Sequence, residues 1–305
     1  MEFALTTRWN AGRHTSGEAM LREILGLGFT HVELGYDLRA DLVAGAQQLV
    51  AAGEVKVDSV HNFCPLPVGA RKATPELFTF ADSNSEVRAA AVRHTEKTIR
   101  FAAEIGARVV VAHAGYVDIP KLTDDLMDLY AQGGTGSPAY EKTRQRLLDT
   151  RDKNAKRHLD WLRQGLDQLL PLLEETGLTL ALELLPWWET VPTELEMLNL
   201  LQSYNTPRLR CWCDVGHMQI RQNLMQVNAR RWLERLQPFV AGYHLHDTQA
   251  PARDHLMPPL GQIDFEGMRA VIAPGAVYVM EPSPNTDPAL VVAGHAYLKK
   301  TLGAA

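Results

Sequence analysis

The amino-acid sequence predicts an α/β protein built as a (β/α)8 TIM barrel, a single domain with an inserted helical segment after the fourth strand. Three observations predict it. Short β-rich runs alternate with longer amphipathic stretches, which is the pattern of a parallel sheet covered by helices. Eight such runs fit into 305 residues, against ~250 for an ordinary barrel, so there is a surplus to place. Acids and histidines gather at the C-terminal ends of these runs, the end at which a barrel collects its functional side chains.

The runs are residues 3–6, 31–34, 57–61, 109–113, 179–183, 210–214, 240–244 and 277–280. Between them lie helical patterns such as residues 85–105 and residues 157–175, where Leu159, Leu162, Leu166, Leu169 and Leu173 recur at helical spacing and Pro171 predicts a kink. Gly28, Gly53, Gly106 and Gly177 each fall just before a strand, where a left-handed helix cap is open to glycine. The gap from His113 to Glu183 is roughly 70 residues, while the next two gaps are about 30 each. The surplus is therefore assigned to an insertion over approximately residues 116–156, containing the stretch AQGGTGSPAY.

Composition narrows the function classes. Hydrophobic residues at 46% and charged residues at 22% are ordinary for a globular protein and exclude a disordered, collagen-like or coiled-coil chain. A net charge of -5 argues against broad binding to a polyanion such as nucleic acid. No run reaches the ~20 apolar residues of a membrane span, and the opening MEFALTTRWNAG carries no basic leader followed by an apolar stretch. With only three cysteines (Cys64, Cys211, Cys213), the expectation is a cytoplasmic protein that meets no membrane. Cys211 and Cys213 share the strand face opposite Asp214 and are expected beneath the outer helices.

The strand ends carry Glu33, His61, His113, Glu183, Asp214, His244 and Glu281. Residues two apart on a strand share a face, and six of these, all but Glu33, are preceded at that spacing by small or apolar members such as Val111, Ala181, Trp212, Gly242 and Val279. All seven can point into one cavity, where they need pairing, water or a cation. Glu183, Asp214, His244 and Glu281 offer three carboxylates and an imidazole, a ligand set for one divalent metal ion, Mn²⁺, Zn²⁺, Co²⁺ or Mg²⁺. His246 shares the inward parity of His244 and is expected just behind the ligands.

ALELLPWWET (181–190), CDVGHMQI (213–220), YHLHD (243–247), DHLMPPLGQIDF (254–265) and MEPSP (280–284) together resemble the xylose isomerase-like TIM-barrel superfamily, through almost the whole chain. Its closest flavour is the ketose 3-epimerase type. The resemblance implies metal binding by Glu183, Asp214, His244 and Glu281, with Glu183 and Glu281 also catalytic. It implies substrate contacts from His217 and from Glu189, six residues after Glu183, while Trp187 or Trp188 offers a flat wall to a sugar ring. His61, His113 and Glu33 complete the expected substrate-binding set with Arg253 and His255, the two candidates for a substrate-binding cation. The implied activity is a divalent-metal-dependent sugar or hydroxy-ketone isomerase or epimerase, working by carboxylate proton transfer through a metal-stabilised enediolate. The partner is a small sugar or polyol, and since many relatives form dimers or tetramers a homo-oligomer is expected.

Departures keep rival readings in play. The Gly-x-Gly usual after His255 is replaced by a stretch in which Pro259 and Leu260 precede Gly261, which leaves open an inosose dehydratase-like lyase or a hydroxypyruvate isomerase-like enzyme. An endonuclease IV-like zinc enzyme would use His61, His113, His217 and His255 as further ligands, but Arg253 stands where its pattern places an aspartate. A non-catalytic metal-binding barrel would have lost a ligand, and none of the four is lost.

Overall fold

The computed structural model describes residues 1–224 and 227–303. In chain order the elements are β1 (Ala4–Thr6), α1 (Gly17–Gly26), β2 (His31–Leu34), α2 (Ala40–Ala51), β3 (Lys56–His61), α3 (Ser85–Glu104), β4 (Val109–Ala112), α4 (Leu122–Gly133), α5 (Pro138–Thr176), β5 (Thr179–Glu183), α6 (Glu194–Tyr204), β6 (Leu209–Asp214), α7 (Val215–Asn223), α8 (Ala229–Leu236), β7 (Val240–Leu245), β8 (Asp247–Gln249), β9 (Arg253–Leu256), α9 (Phe265–Met268), β10 (Val277–Met280) and α10 (Pro288–Leu302). Eight strands close into a parallel barrel in the order β1, β10, β7, β6, β5, β4, β3, β2, with β2 back against β1. The predicted fold class is the observed one.

Strand alternation sorts the core into two layers. Inside the barrel, Ala4, Val109, Val111, Ala181, Trp212, Val277 and Val279 form one small cluster. The opposite faces, including Cys211 and Cys213, join the larger layer beneath the helices, and all three cysteines are buried and unpaired. Trp212 fills the barrel only because its neighbour is Gly242: a Cβ there would lie 2.2 Å from the indole. That indole forms a floor under His244, with ring centroids 5.0 Å apart.

The surplus residues make α4 and the first half of α5. The AQGGTGSPAY stretch is the turn between them, with Gly134 at a φ of 73° closing α4 and the Ser137 hydroxyl accepting the Tyr140 N–H at the start of α5. α5 runs on through Pro171, the position at which the sequence predicts a kink. Its ring faces solvent, where water can serve the carbonyl that loses a donor. β4 stops one residue short of His113. The antiparallel pair β8–β9 was not legible beforehand, because its strands are too short to show a period.

Candidate functional site

Register sets the chemistry. Glu183 on β5 pairs with Trp212, two residues before Asp214 on β6; Asp214 pairs with His244 on β7, and His244 with Val279 on β10, two residues before Glu281, so the four side chains stand at the C-terminal ends of neighbouring strands. His244 is the hub. Its Nδ1 lies 3.1 Å from Glu281 Oε2, 3.3 Å from Glu183 Oε1 and 3.7 Å from Asp214 Oδ2. Its other nitrogen, Nε2, lies 3.2 Å from Glu33 Oε1. A carboxylate behind an imidazole fixes the ring's orientation and raises its basicity as a ligand.

Each carboxylate is held by further partners. Glu183 Oε2 lies 3.0 Å from His113 Nε2 and 3.3 Å from His61 Nε2. Asp214 caps α7, its Oδ1 accepting the His217 N–H at 2.8 Å, and it also lies 2.9 Å from His246 Nε2. Arg8 donates to Glu281 Oε1 at 2.8 Å. Burial opposes the charge on all three acids. It is outweighed at Glu183 by His244 and His113, at Asp214 by His217 and His246, and at Glu281 by His244, His255 and Arg8, so each carboxyl sits below its ordinary range. His113 bridges Glu183 and Glu76, and against its burial the two acids push its imidazole up to about 10. Burial also opposes charge on His246, and Asp214 favours it from the other side. The His255 backbone N–H, aimed at His246 Nδ1 from 2.9 Å, nonetheless favours the ring with a single proton, on Nε2.

A cavity of about 340 Å³ opens above this cluster, lined by His61, His113, Glu183, Trp187, His217, His255 and Glu281. His217 and His255 direct their Nδ1 atoms at the carbonyls of Leu184 and Glu281, 3.1 and 3.0 Å away, so each can turn Nε2 to the cavity. Four of the expected substrate residues lie elsewhere. Glu33 is fully buried beneath His244 and accepts the Ser59 hydroxyl at 2.9 Å, out of reach of a ligand. Glu189 turns into the insertion, where it accepts the N–H and hydroxyl of Thr123 at the start of α4. Trp188 packs against the cluster of Leu122, Tyr140 and Ile220 and under Arg221, leaving Trp187 as the cavity-wall indole. Arg253 is exposed on the outer side of β9, where it donates to Gln249, while Asp254 and His255 line the cavity.

Arg8, Tyr36, Lys72, Glu76 and Asp254 line the cavity without having been anticipated. Arg8 was accessible: continuing the inward series Ala4, Thr6 two residues beyond β1 reaches it. Lys72 and Glu76 lie on the irregular segment after β3, where no period points to a side chain's direction.

A parallel eight-stranded barrel whose C-terminal mouth buries three converging carboxylates around an imidazole defines a TIM barrel with a cation-ready centre. The model of the xylose isomerase-like TIM barrel matches residues 21–301, and the chain belongs to that family. Among solved structures, a D-tagatose 3-epimerase-like protein superposes with a TM-score of 0.71 at 20% identity, covering 99% of this chain and 97% of that one. The 3-keto-D-glucoside 4-epimerase from E. coli, in its apo form, gives 0.69 at 16% identity over 98% of this chain and 99% of that one. An L-ribulose 3-epimerase gives 0.69 at 14% over 99% and 94%. At these identities the likeness is one of fold. No curated protein matches the sequence.

Proposed function

We propose that the protein is a divalent-metal-dependent isomerase or epimerase of a sugar or sugar-like hydroxy-ketone. The observation that carries this reading is the convergence of Glu183, Asp214 and Glu281 on His244 Nδ1 within 3.7 Å, at the floor of an open cavity. The donor set fits the ion: three carboxylates no more than 3% exposed require compensation, and oxygen donors with one imidazole suit Mn²⁺, Co²⁺, Zn²⁺ or Mg²⁺. When bound, such an ion supplies positive charge that stabilises the enediolate formed as a substrate C–H loses its proton.

Glu183, Asp214, His244 and Glu281 are the residues that would hold it. Glu183 on β5 and Glu281 beyond β10 stand on strands separated by β6 and β7, so a carbon held between them meets a carboxylate on either side. One removes a proton and the other returns one. Return to the same carbon gives epimerisation, and return to its neighbour gives isomerisation. His217 and His255 hold substrate oxygens through Nε2, and Trp187 supplies the apolar wall for a sugar's C–H face. That the similar structures are named as sugar epimerases or epimerase-like supports a sugar as the substrate class. Among the described residues no helix is long and apolar enough to cross a membrane, and with its buried thiols the chain fits a reducing cytoplasm.

The test is metal-dependent exchange of a substrate C–H with deuterated water across a panel of ketoses and hydroxy-keto acids. Exchange restored by Mn²⁺ or Co²⁺ and abolished by Glu183→Gln and by Glu281→Gln is expected. Exchange with no panel member, or exchange indifferent to both substitutions, would end the reading.

A further inference from the structure

His246 is not one of the four proposed ligands, yet it is fully buried at their back, and both of its ring nitrogens are engaged. Nε2 lies 2.9 Å from Asp214 Oδ1 and 3.0 Å from Oδ2. Nδ1 faces the backbone N–H of His255 at 2.9 Å, and the nearest rival partner, the Asp247 carbonyl, is farther at 3.4 Å. A backbone N–H can only donate, so Nδ1 must accept and the ring proton sits on Nε2, directed at Asp214. The ring is also wedged in place. It stacks on the His255 ring at 4.2 Å and 28°, and it occupies the space beside Gly216, where a Cβ would fall 1.9 Å from its Cε1.

The backbone at the other end is unusual. His255 has a φ of 52°, a conformation a non-glycine residue adopts only when its surroundings hold it. Those surroundings are His246 at its N–H, the Ser283 N–H at its carbonyl (3.1 Å) and the Glu281 carbonyl at its ring (3.0 Å). This held residue places Asp254 and His255 on the cavity wall.

We propose that His246 is a positioning residue that joins the metal centre to the substrate wall. One nitrogen orients the Asp214 carboxylate toward the centre, and the other pins the β8–β9 hairpin in the form that presents His255. The inference rests on the metal-dependent reading for its first arm. Its second arm is a property of the chain alone.

Two near-isosteric substitutions separate the arms. In His246→Asn the side-chain oxygen can replace Nδ1 and accept the His255 N–H, but nothing reaches Asp214. In His246→Gln the amide can replace Nε2 on Asp214, but nothing accepts from His255. Each metal-free variant is titrated with Co²⁺ against a competing chelator, and hydrogen exchange is followed over residues 253–256. His246→Asn is expected to weaken Co²⁺ about tenfold or more while keeping the hairpin protected. His246→Gln is expected to hold Co²⁺ within about threefold of the wild type and to raise exchange at His255 about tenfold. Equal Co²⁺ affinity and equal protection in both variants would overturn the proposal, as would parallel loss of both properties in both variants, which marks a ring that only fills space. If neither variant folds, ¹⁵N-histidine NMR of the wild type decides: an Nε2–H ring on His246 supports the proposal and an Nδ1–H ring overturns it. A wild-type chain that binds no Co²⁺ defeats the metal-dependent reading and the first arm with it. Binding by the wild type with indifferent variants defeats the proposal alone.

Discussion

Two regions of the molecule bury charge and put it to different use. At the barrel mouth, Glu183, Asp214 and Glu281 turn oxygens toward one another across His244 and beneath a cavity. Behind the insertion, Arg221 donates to Glu194 at 2.8 Å, to the Leu185 and Trp187 carbonyls and to the Thr190 hydroxyl, while Arg151 grips Glu196 and the carbonyls of Trp188 and Thr190. There the donors are spread over acceptors supplied by the chain itself, and the network fastens the segment after β5 to α5 and α7. At the mouth, acids of one sign are crowded together and depend on imidazoles to offset them. The difference teaches that burial of charge does not mark a functional site; convergence of lone pairs on a point open to a ligand does.

The sharpest way to break the comparison is to remove one charge from each region. Glu183→Gln should lower C–H exchange by roughly 10²–10⁴-fold. It should also weaken Co²⁺ binding and lower the unfolding midpoint in urea, because His113 and His244 lose the carboxylate that offsets their charge. A variant that binds and exchanges normally would show that the mouth is no more functional than the network behind it.

Arg221→Met should act on stability alone. It leaves Glu194 as an uncompensated buried carboxylate, which destabilises by about 3–5 kcal/mol, read as a shift of the urea transition. The Co²⁺ stoichiometry of the folded fraction should be unchanged. Adding Glu194→Leu should recover much of the loss, because the orphaned charge goes with it. Loss of the metal with no loss of stability would move this network into the site.

Glu189 lies between the two regions and shows how far the sequence could be read. The strand ends were legible because a period of two fixes direction: once Ala181 is inside, Glu183 is inside, and the same count places Asp214, His244 and Glu281. That logic stops where the strand stops. Glu189 lies six residues past Glu183 on an irregular segment, and its carboxylate is drawn to the free N–H and hydroxyl of Thr123 at the N-terminus of α4, where negative charge is favoured. The insertion that sequence length revealed is therefore also what claims the residue. Glu33 fails differently. Its direction was read correctly, but His244 covers it, and depth along the axis is not encoded in alternation. Glu189→Ala should accordingly lower stability by about 1–2 kcal/mol through loss of the α4 anchor. Exchange activity should change by no more than several-fold, and a fall comparable to that of Glu183→Gln would return Glu189 to the substrate.

The smallest effect separates a histidine that answers to packing from those that answer to acids. His295 on α10 is 8% exposed, stacks on Phe29 at 4.1 Å and meets the edge of Phe3 at 5.8 Å. Its Nε2 has no partner among the described residues. Burial first, then Lys299, pushes its imidazole down from 6.5 to about 4, with Glu2 opposing weakly. The folded chain therefore keeps His295 neutral where the unfolded chain takes up a proton. Its contribution is complete above pH 6.5 and is lost as the pH falls toward 4. His295→Phe should flatten the thermal midpoint over that window by about 2 °C relative to wild type, a size limited by the partial access of water to this helix. Parallel midpoint curves for the two proteins would show that the ring takes up its proton in the folded state as readily as in the unfolded one, and that stacking on Phe29 does not resist the charge.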